Sequence, residues 1–232
     1  MADLLFTGCG AGYNPVLGSN SSFFKRGTTM YLLDCGPSSY QVLVGKNAFS
    51  GVEKVVIFVS HLHTDHIGSL GILCDYCLDI LNIPVFLYYP REILKTILNV
   101  TGVSPDACHF VLAEEYGPDE YGISLRFEKT SHTADMECWS FFIRFMDHQI
   151  YYSGDSSCLP ESVLQALKEG ILSEVYQDTS SKESAAHLAF SHLASVVPLD
   201  LRQRVVCMHL DGGMQPEEIR KSGFRVAFDQ LI

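Results

Sequence analysis

Positive charge is scarce in this chain. Its 232 residues include 16 Lys and Arg against 27 Asp and Glu, which gives a formal net charge of −11 at pH 7. Proteins that bind long nucleic acids do so by neutralising many phosphates with Lys and Arg. The composition therefore weighs against a large polyanionic substrate, and tRNA or another extended nucleic acid is not an expected partner.

Long apolar runs, flexible linkers and repeats are also missing from the sequence. No run approaches the length of a membrane span, and no Pro/Gly/Ser-rich stretch divides the chain. No low-complexity segment or fixed-period repeat is present. With 47% hydrophobic residues, the chain is long enough to bury one sizeable core. We therefore expect one domain over residues 1–232, without a membrane partner.

Cysteine is well represented, but its eight residues do not predict disulfides. The chain begins at Met1 and enters its first predicted strand by Leu4, which leaves no room for a signal peptide. We therefore expect a cytoplasmic location with reduced thiols. Cys74 and Cys77 form a C-x-x-C pair without a second pair, so packing on a helix is favoured over a redox or zinc site.

The most informative segment places three histidines and an aspartate within six positions, at His61, His63, Asp65 and His66. Neutral imidazole is the commonest protein ligand for first-row metals, and ligands at this spacing can face two neighbouring ions. The apolar run at 55–59 predicts a buried strand just before the motif. A metal site is therefore favoured over a His-rich polar loop or a single structural zinc site.

Three further strand-like runs are each followed by a metal-capable side chain, at His132, Asp155 and His209. Sites in sheet-based folds gather at the carboxyl ends of strands, where loops converge on one edge. Seven candidate ligands are too many for one tetrahedral zinc, which takes about four. They predict two divalent ions, with zinc favoured and manganese or iron as alternatives. Such ions would give the cleft the local positive field that a small anionic substrate needs.

The order of these groups along the chain resembles the metallo-β-lactamase fold superfamily, and the resemblance covers nearly the whole chain. The order is a histidine pair, an aspartate–histidine pair, a lone histidine, a Gly-Asp and a final histidine. The resemblance implies an α/β fold, a four-layered αββα sandwich. It also divides the candidates into His61, His63 and His132 for one metal, Asp65, His66 and His209 for the other, and Asp155 bridging them. Asp65 separates the chain from lactamases with a cysteine ligand. The implied branch contains phosphodiesterases, nucleases, thioesterases and lactonases.

Finer features resemble ribonuclease Z and its relatives, at residues 4–12, 20–22, 32–36 and 152–156. Ribonuclease Z also carries a Glu and then a His between the bridging Asp and the last ligand, and Asp178 and His187 occupy the comparable places. His192 is a rival for the histidine role. Where a long ribonuclease Z carries a basic arm that grips tRNA, this chain has an acidic segment at 113–122.

Together these features predict a dinuclear metal-dependent phosphodiesterase for small or cyclic phosphodiesters. Two ions lower the pKa of a bridging water, Asp65 orients the hydroxide, and His187 with Asp178 behind it protonates the leaving alkoxide. Alternatives are tRNA 3′ processing, as in ribonuclease Z, and thioester or lactone hydrolysis on the same fold. A complete set of seven ligand positions argues against a non-enzymatic metal-binding protein. A homodimer is left open.

Periodicity and turn signals predict the secondary structure. Strands are expected at 3–8, 29–34, 54–59, 84–88, 108–112, 123–130, 138–146, 149–153, 173–176, 204–208 and 224–228. Helices are expected at 67–81, 90–100, 160–169, 186–197 and 215–221. On the helix at 186–197, His187 and His192 lie five residues apart and would point in different directions, so only one should reach the metals.

Overall fold

The computed structural model describes residues 4–232, whose strands form two β-sheets. The first sheet contains, in spatial order, β1 (Leu5–Gly8), β2 (Ser21–Arg26), β3 (Thr29–Leu33), β4 (Lys54–Phe58), β5 (Val85–Tyr89) and β6 (His109–Leu112). The second contains β7 (Glu115–Tyr116), β8 (Ser124–Thr130), β9 (Cys138–Arg144), β10 (Gln149–Tyr152), β11 (Glu174–Asp178), β12 (Val205–Met208) and β13 (Arg225–Val226). Each half of the chain therefore builds one sheet.

The helices are short and lie between or after the strands. They are α1 (Ser39–Gly45), α2 (Thr64–Ile67), α3 (Leu70–Tyr76), α4 (Ile93–Val100), α5 (Glu161–Lys168), α6 (Phe190–Val196) and α7 (Pro216–Lys221). A π-helical turn at Cys77–Leu81 follows α3, and 3-10 turns lie at Pro15–Leu17, Leu199–Arg204 and Ala227–Gln230. Within residues 4–232, no helix is long and apolar enough to cross a membrane.

Both sheets combine an antiparallel part with a parallel part. In the first sheet β1, β2 and β3 are antiparallel neighbours, and β3 to β6 run parallel. In the second sheet β7 to β10 are antiparallel, and β10 to β13 run parallel. Parallel neighbours are joined by crossover connections. Because these strands run in the same direction, their carboxyl ends all lie at one edge of the sheet.

Aromatic side chains from the two sheets pack between them and form the centre of the core. The ring of Phe58, at the end of β4, lies 6.2 Å from that of Phe127 and 6.4 Å from that of Phe141, both in the second sheet. The rings of Phe6 and Tyr176 stack across the same interface at 6.0 Å. β3 is buried along its whole length, as expected for a strand covered on both faces. This core fixes the position of one sheet edge against the other.

Two strands were not expected from the sequence, β2 and β7. β2 reads Ser-Ser-Phe-Phe-Lys-Arg, which shows neither the alternation nor the apolar run typical of a strand. It nevertheless pairs with β1 on one side and β3 on the other, and its two serines are buried. Backbone pairing to two neighbours, which no local pattern reveals, fixes this segment as a strand.

The helix predicted at 67–81 is wrong as a continuous element. α2 ends at Ile67 and α3 begins at Leu70, because Ser69 leaves the helical path to bond elsewhere. The Ser69 hydroxyl donates to the Gly36 carbonyl oxygen at 2.5 Å and accepts from the Tyr40 amide at 3.2 Å. This break ties the segment after the His-rich motif to the turn that follows β3.

The helix predicted at 186–197 is also shorter than expected, because α6 begins only at Phe190. The backbone before it bonds to Ser180: the Ser180 amide donates to the Leu188 carbonyl, and the Phe190 amide donates to the Ser180 carbonyl. His187 therefore lies in a loop, and the prediction that it shares a helix with His192 is wrong.

The other predicted elements agree with the structure, apart from shifts of a few residues at their ends. The strand predicted at 224–228 is reduced to β13 and continues as a 3-10 turn. Residue 3 of the first predicted strand lies outside the described residues. All eight cysteines are free, and Cys74 and Cys77 are buried in the core.

Phe141→Ala should reduce the free energy of unfolding by about 3–5 kcal/mol, because it opens a cavity between the two sheets. Phe228→Ala is the matched control, since Phe228 is 41% exposed, whereas Phe141 is fully buried. Urea unfolding followed by circular dichroism measures both. Equal losses in the two variants would contradict the assignment of the core to the space between the sheets.

Candidate metal centre

The His-rich motif begins immediately after β4, at the carboxyl edge of the first sheet. His63 has extended backbone and precedes α2, and the His66 amide donates to the His63 carbonyl at 2.9 Å. This single helical turn brings Asp65 and His66 back over the strand end that carries His61. The short spacing of the motif thus becomes a compact cluster of side chains.

The second sheet supplies the other candidates from the ends of β8, β10 and β12. Asp155 follows Gly154, which adopts a φ of 56°, and a Cβ at Gly154 would lie 2.5 Å from the Trp139 carbonyl oxygen. Only glycine fits this turn without strain. His209 also has a positive φ, of 53°, which is uncommon for a residue with a side chain. Backbone geometry therefore aims both side chains at the first sheet.

The structure brings all seven predicted ligands together in two overlapping groups. Within each group the ligand atoms all lie within 4.8 Å of one another. One group is His61, His63, His132 and Asp155, and the other is Asp65, His66, His209 and Asp155. This is the division that the superfamily resemblance implied.

Asp155 lies between the two groups with one oxygen toward each. Its Oδ2 is 3.7 Å from His61 Nε2 and 3.6 Å from His132 Nε2. Its Oδ1 is 3.2 Å from His66 Nε2 and 3.4 Å from His209 Nε2. Asp155 is therefore the residue that the two groups share.

Two of these atoms are buried without a hydrogen-bond partner, His66 Nε2 and Asp155 Oδ1. Burying a polar group without a partner is costly, and native proteins rarely accept that cost without a function. A cation between the two atoms would coordinate both. Imidazole and carboxylate donors suit zinc, manganese and iron alike, so the residues present fit divalent metal binding.

Burial and neighbouring charges shift the pKa values of residues in the cluster. Burial alone would raise the pKa of Asp155, but the positive charges of His209 and His66 hold it well below its ordinary value. Burial lowers the pKa of His61 well below its ordinary value, and the neighbouring His66 adds to this. His61 is therefore a neutral imidazole, the form that ligates a metal.

Asp34, within the ribonuclease Z-like segment 32–36, is a buried carboxylate for which no role was predicted. Its Oδ2 accepts from His66 Nδ1 at 2.9 Å and from the Ser60 hydroxyl at 2.7 Å, and its Oδ1 accepts from the Ser60 amide at 2.6 Å. A carboxylate on the far nitrogen fixes the orientation and tautomer of a ligating histidine. The signal in the sequence was a charged residue at the end of an apolar strand.

Asn20 and Ala186 hold two other predicted ligands in place. Asn20 Oδ1 accepts from the His209 amide at 3.2 Å, and Asn20 Nδ2 donates to the Tyr152 hydroxyl at 3.0 Å. These bonds support the backbone of His209 in its positive-φ conformation. His132 Nδ1 donates to the Ala186 carbonyl at 2.8 Å, which leaves His132 Nε2 for the cluster. Both contacts join residues far apart in the sequence, so no local pattern predicts them.

Asp178 and His187 form a second polar pair beside the cluster. Asp178 Oδ2 accepts from His187 Nδ1 at 2.7 Å, while Asp178 Oδ1 lies 3.3 Å from His209 Nδ1. The rings of His187 and His209 stack at 5.0 Å. Burial tends to lower the pKa of His187, but the bond to Asp178 raises it above its ordinary value. His192, the rival histidine, is exposed on α6 and does not line the cavity over the cluster.

A cavity of about 580 Å³ lies over the cluster. His63, Asp65, His132, Asp155 and His209 line its floor, and His187 lines one side. This volume falls within the usual range of small-molecule sites.

Two sheets with a His/Asp cluster at their carboxyl edges define a protein of the metallo-β-lactamase fold. The metallo-β-lactamase fold protein YhfI from Bacillus subtilis superposes with a TM-score of 0.73 at 18% identity, covering 96% of this chain and 94% of that chain. The predicted αββα architecture is therefore confirmed.

A finer assignment comes from the sequence comparison. The family model described as Anti-Pycsar protein Apyc1 matches residues 2–230, and the chain belongs to this family. The Anti-Pycsar protein Apyc1 of Paenibacillus sp. (strain J14) is 24% identical over 229 residues, covering 91% of this chain and 90% of the relative. Ribonuclease Z of Shouchella clausii (strain KSM-K16) is 30% identical over 157 residues, 62% of this chain and 49% of that protein.

Asp155→Ala should remove more bound metal than His61→Ala, because Asp155 contacts both groups and His61 only one. Elemental analysis after dialysis measures metal per chain. His109→Ala is the matched control, since its ring stacks on Phe86 at 4.9 Å, outside the cluster. If both cluster variants bound as much metal as the parent, the ligand assignment would be wrong.

Proposed function

We propose that this chain is a dinuclear metal-dependent phosphodiesterase that hydrolyses 3′,5′-cyclic nucleotides, which are small cyclic phosphodiesters. The observation that carries the proposal is the divided carboxylate of Asp155, below a cavity that also contains the Asp178–His187 pair. The family name, Anti-Pycsar protein, supports cyclic-nucleotide degradation. His61, His63 and His132 would hold one cation and Asp65, His66 and His209 the other, with Asp155 shared.

Two divalent cations in these positions would activate a water molecule and neutralise charge on the phosphoryl oxygens. Asp65 would orient that water and accept its proton. Burial tends to raise the pKa of Asp65, but bonds from His209 and His66 hold it below its ordinary value, so the carboxylate is ionised. It also lines the cavity floor, which places it in reach of the substrate.

His187 would protonate the leaving alkoxide. Its Nδ1 is committed to Asp178, so Nε2 is the nitrogen left for substrate. The raised pKa keeps the imidazole protonated at higher pH than an isolated histidine. Asp178 acts as a positioning residue, because it holds the ring and stabilises its positive charge without contacting the reacting atoms.

Ribonuclease Z activity is the second candidate, and the 30% identity to that enzyme over 157 residues favours it. The charge of −11 opposes it, because tRNA binding depends on many phosphate contacts. The acidic segment at 113–122 also folds onto the protein: Tyr116 donates to Asp119 Oδ2 at 2.6 Å, and Tyr31 of the first sheet donates to the same oxygen. Within the described residues this segment forms no projecting basic arm.

The parent protein should hydrolyse cyclic nucleotides and leave the 3′ trailer of a precursor tRNA uncut. Both reactions should be measured at one salt concentration, because phosphate-driven affinity depends strongly on salt. Chromatography resolves the nucleoside monophosphate, and gel electrophoresis resolves the trimmed RNA. Efficient trailer removal without cyclic-nucleotide hydrolysis would overturn the proposal in favour of the ribonuclease.

His187→Ala should lower kcat on a cyclic nucleotide by roughly 10²–10⁴, the usual cost of losing a positioned general acid. Metal content should be unaffected, because His187 lies outside the proposed ligand groups. The loss should shrink on a nitrophenyl phosphodiester, whose leaving group needs no proton. His192→Ala is the control on the exposed face of α6. A full loss of activity in His192→Ala and none in His187→Ala would show that His187 is not the proton donor.

A further inference from the structure

Tyr13 is an aromatic side chain that lines the cavity over the cluster and yet is fully exposed, with a relative accessibility of 103%. It therefore lies at the rim. A ring exposed to this extent contacts little of the protein and so contributes little to its packing. Aromatic rings held at the edge of a binding site are instead typical of ligand contacts.

The backbone under Tyr13 is fixed although its side chain is free. The Ala11 amide donates to the Leu210 carbonyl at 3.0 Å, and Asn14 Nδ2 donates to the same oxygen at 2.9 Å. The Asn14 amide closes a turn on the Ala11 carbonyl at 2.7 Å, and Tyr13 lies inside that turn. Leu210 follows His209, so the loop that presents Tyr13 is tied to a predicted metal ligand.

The neighbouring Gly12 sets the distance between Tyr13 and the reacting centre. A Cβ at Gly12 would lie 2.9 Å from Asp65 Oδ2, so the loop backbone packs directly on this carboxylate. Consecutive Cα atoms are about 3.8 Å apart. The Cα of Tyr13 is therefore about that distance from the Cα of Gly12, whose backbone packs on Asp65. A cyclic nucleotide with its phosphate at the cluster is thus within reach of the tyrosine ring.

We propose that Tyr13 stacks on the nucleobase and is a specificity-determining residue of this site. The inference rests on the proposed cyclic-nucleotide function. The cyclic phosphate occupies the cavity floor near Asp155, and the base extends from the sugar toward the rim, where Tyr13 offers its ring. Stacking tolerates different bases, because every base has a π-face. Tyr13 therefore selects for a base over its absence and discriminates little between purines and pyrimidines.

The test compares the parent with Tyr13→Ala, Tyr13→Phe and Val16→Ala. Val16 is the matched control, because it lies in the same loop, is 89% exposed and does not line the cavity. The substrates are a purine and a pyrimidine 3′,5′-cyclic nucleotide and 1-deoxyribose 3′,5′-cyclic phosphate, which has no base. The quantity measured is the ratio of kcat/KM with a base to kcat/KM without one.

Tyr13→Ala should lower this ratio by about 5- to 150-fold for both nucleotides, mainly through KM, the range expected for losing one base–aromatic stack. Tyr13→Phe should retain most of the parent ratio, and Val16→Ala all of it. An unchanged ratio in Tyr13→Ala would overturn the stacking role while cyclic-nucleotide hydrolysis stands. Equal losses in Tyr13→Ala and Tyr13→Phe would show that the hydroxyl makes the contact, and they would also overturn the stacking role.

If the metal-loaded parent hydrolyses none of the three substrates, the proposed function itself is wrong, and the inference about Tyr13 falls with it. That outcome is distinct from the two above, in which the parent is active and only the ratio decides.

Discussion

The buried carboxylate of Asp155 is the constraint on which the rest of the structure depends. A charge with almost no access to water is expensive unless it is paired. Here the pairing comes from histidines of both sheets, since His66 follows β4 and His209 follows β12. The core must therefore hold the two carboxyl edges at one separation, and the aromatic contacts of Phe58 across the sandwich do so.

Asp178 links the chemistry of the site to its ligands. One oxygen faces His209, a proposed ligand, and the other accepts from His187, the proposed proton donor. The same oxygen also accepts from the Ser156 amide at 2.9 Å, which fixes the carboxylate relative to the neighbouring Asp155. The proton donor is thus positioned through residues that also shape the metal centre, and hydrogen-bonded groups of this kind do not act independently.

The candidate ligands were predictable because their signals are short-range, and the fold was predicted from the superfamily resemblance that these residues carry. Three histidines and an aspartate within six positions, and side chains at strand ends, need no knowledge of tertiary structure. The fold is confirmed by the structural comparison, whereas the roles of the individual ligands remain predictions. What the sequence concealed depends on long-range partners: Asn20 meets a backbone amide 189 positions away, and β2 is a strand only because β1 and β3 enclose it. His187 left its predicted helix for the same reason, since bonds to Ser180 set the course of its loop.

The proposed ligands come from both halves of the chain, four from the segment 61–66 after β4 and three from the ends of strands of the second sheet. With these residues as ligands, bound metal would cross-link the two sheets and would also form the reactive centre. Ligand binding stabilises the folded state in proportion to the logarithm of ligand concentration over the dissociation constant. Bound metal would then add to the stability of the folded chain, so that the metal-free protein would unfold more readily than the loaded one.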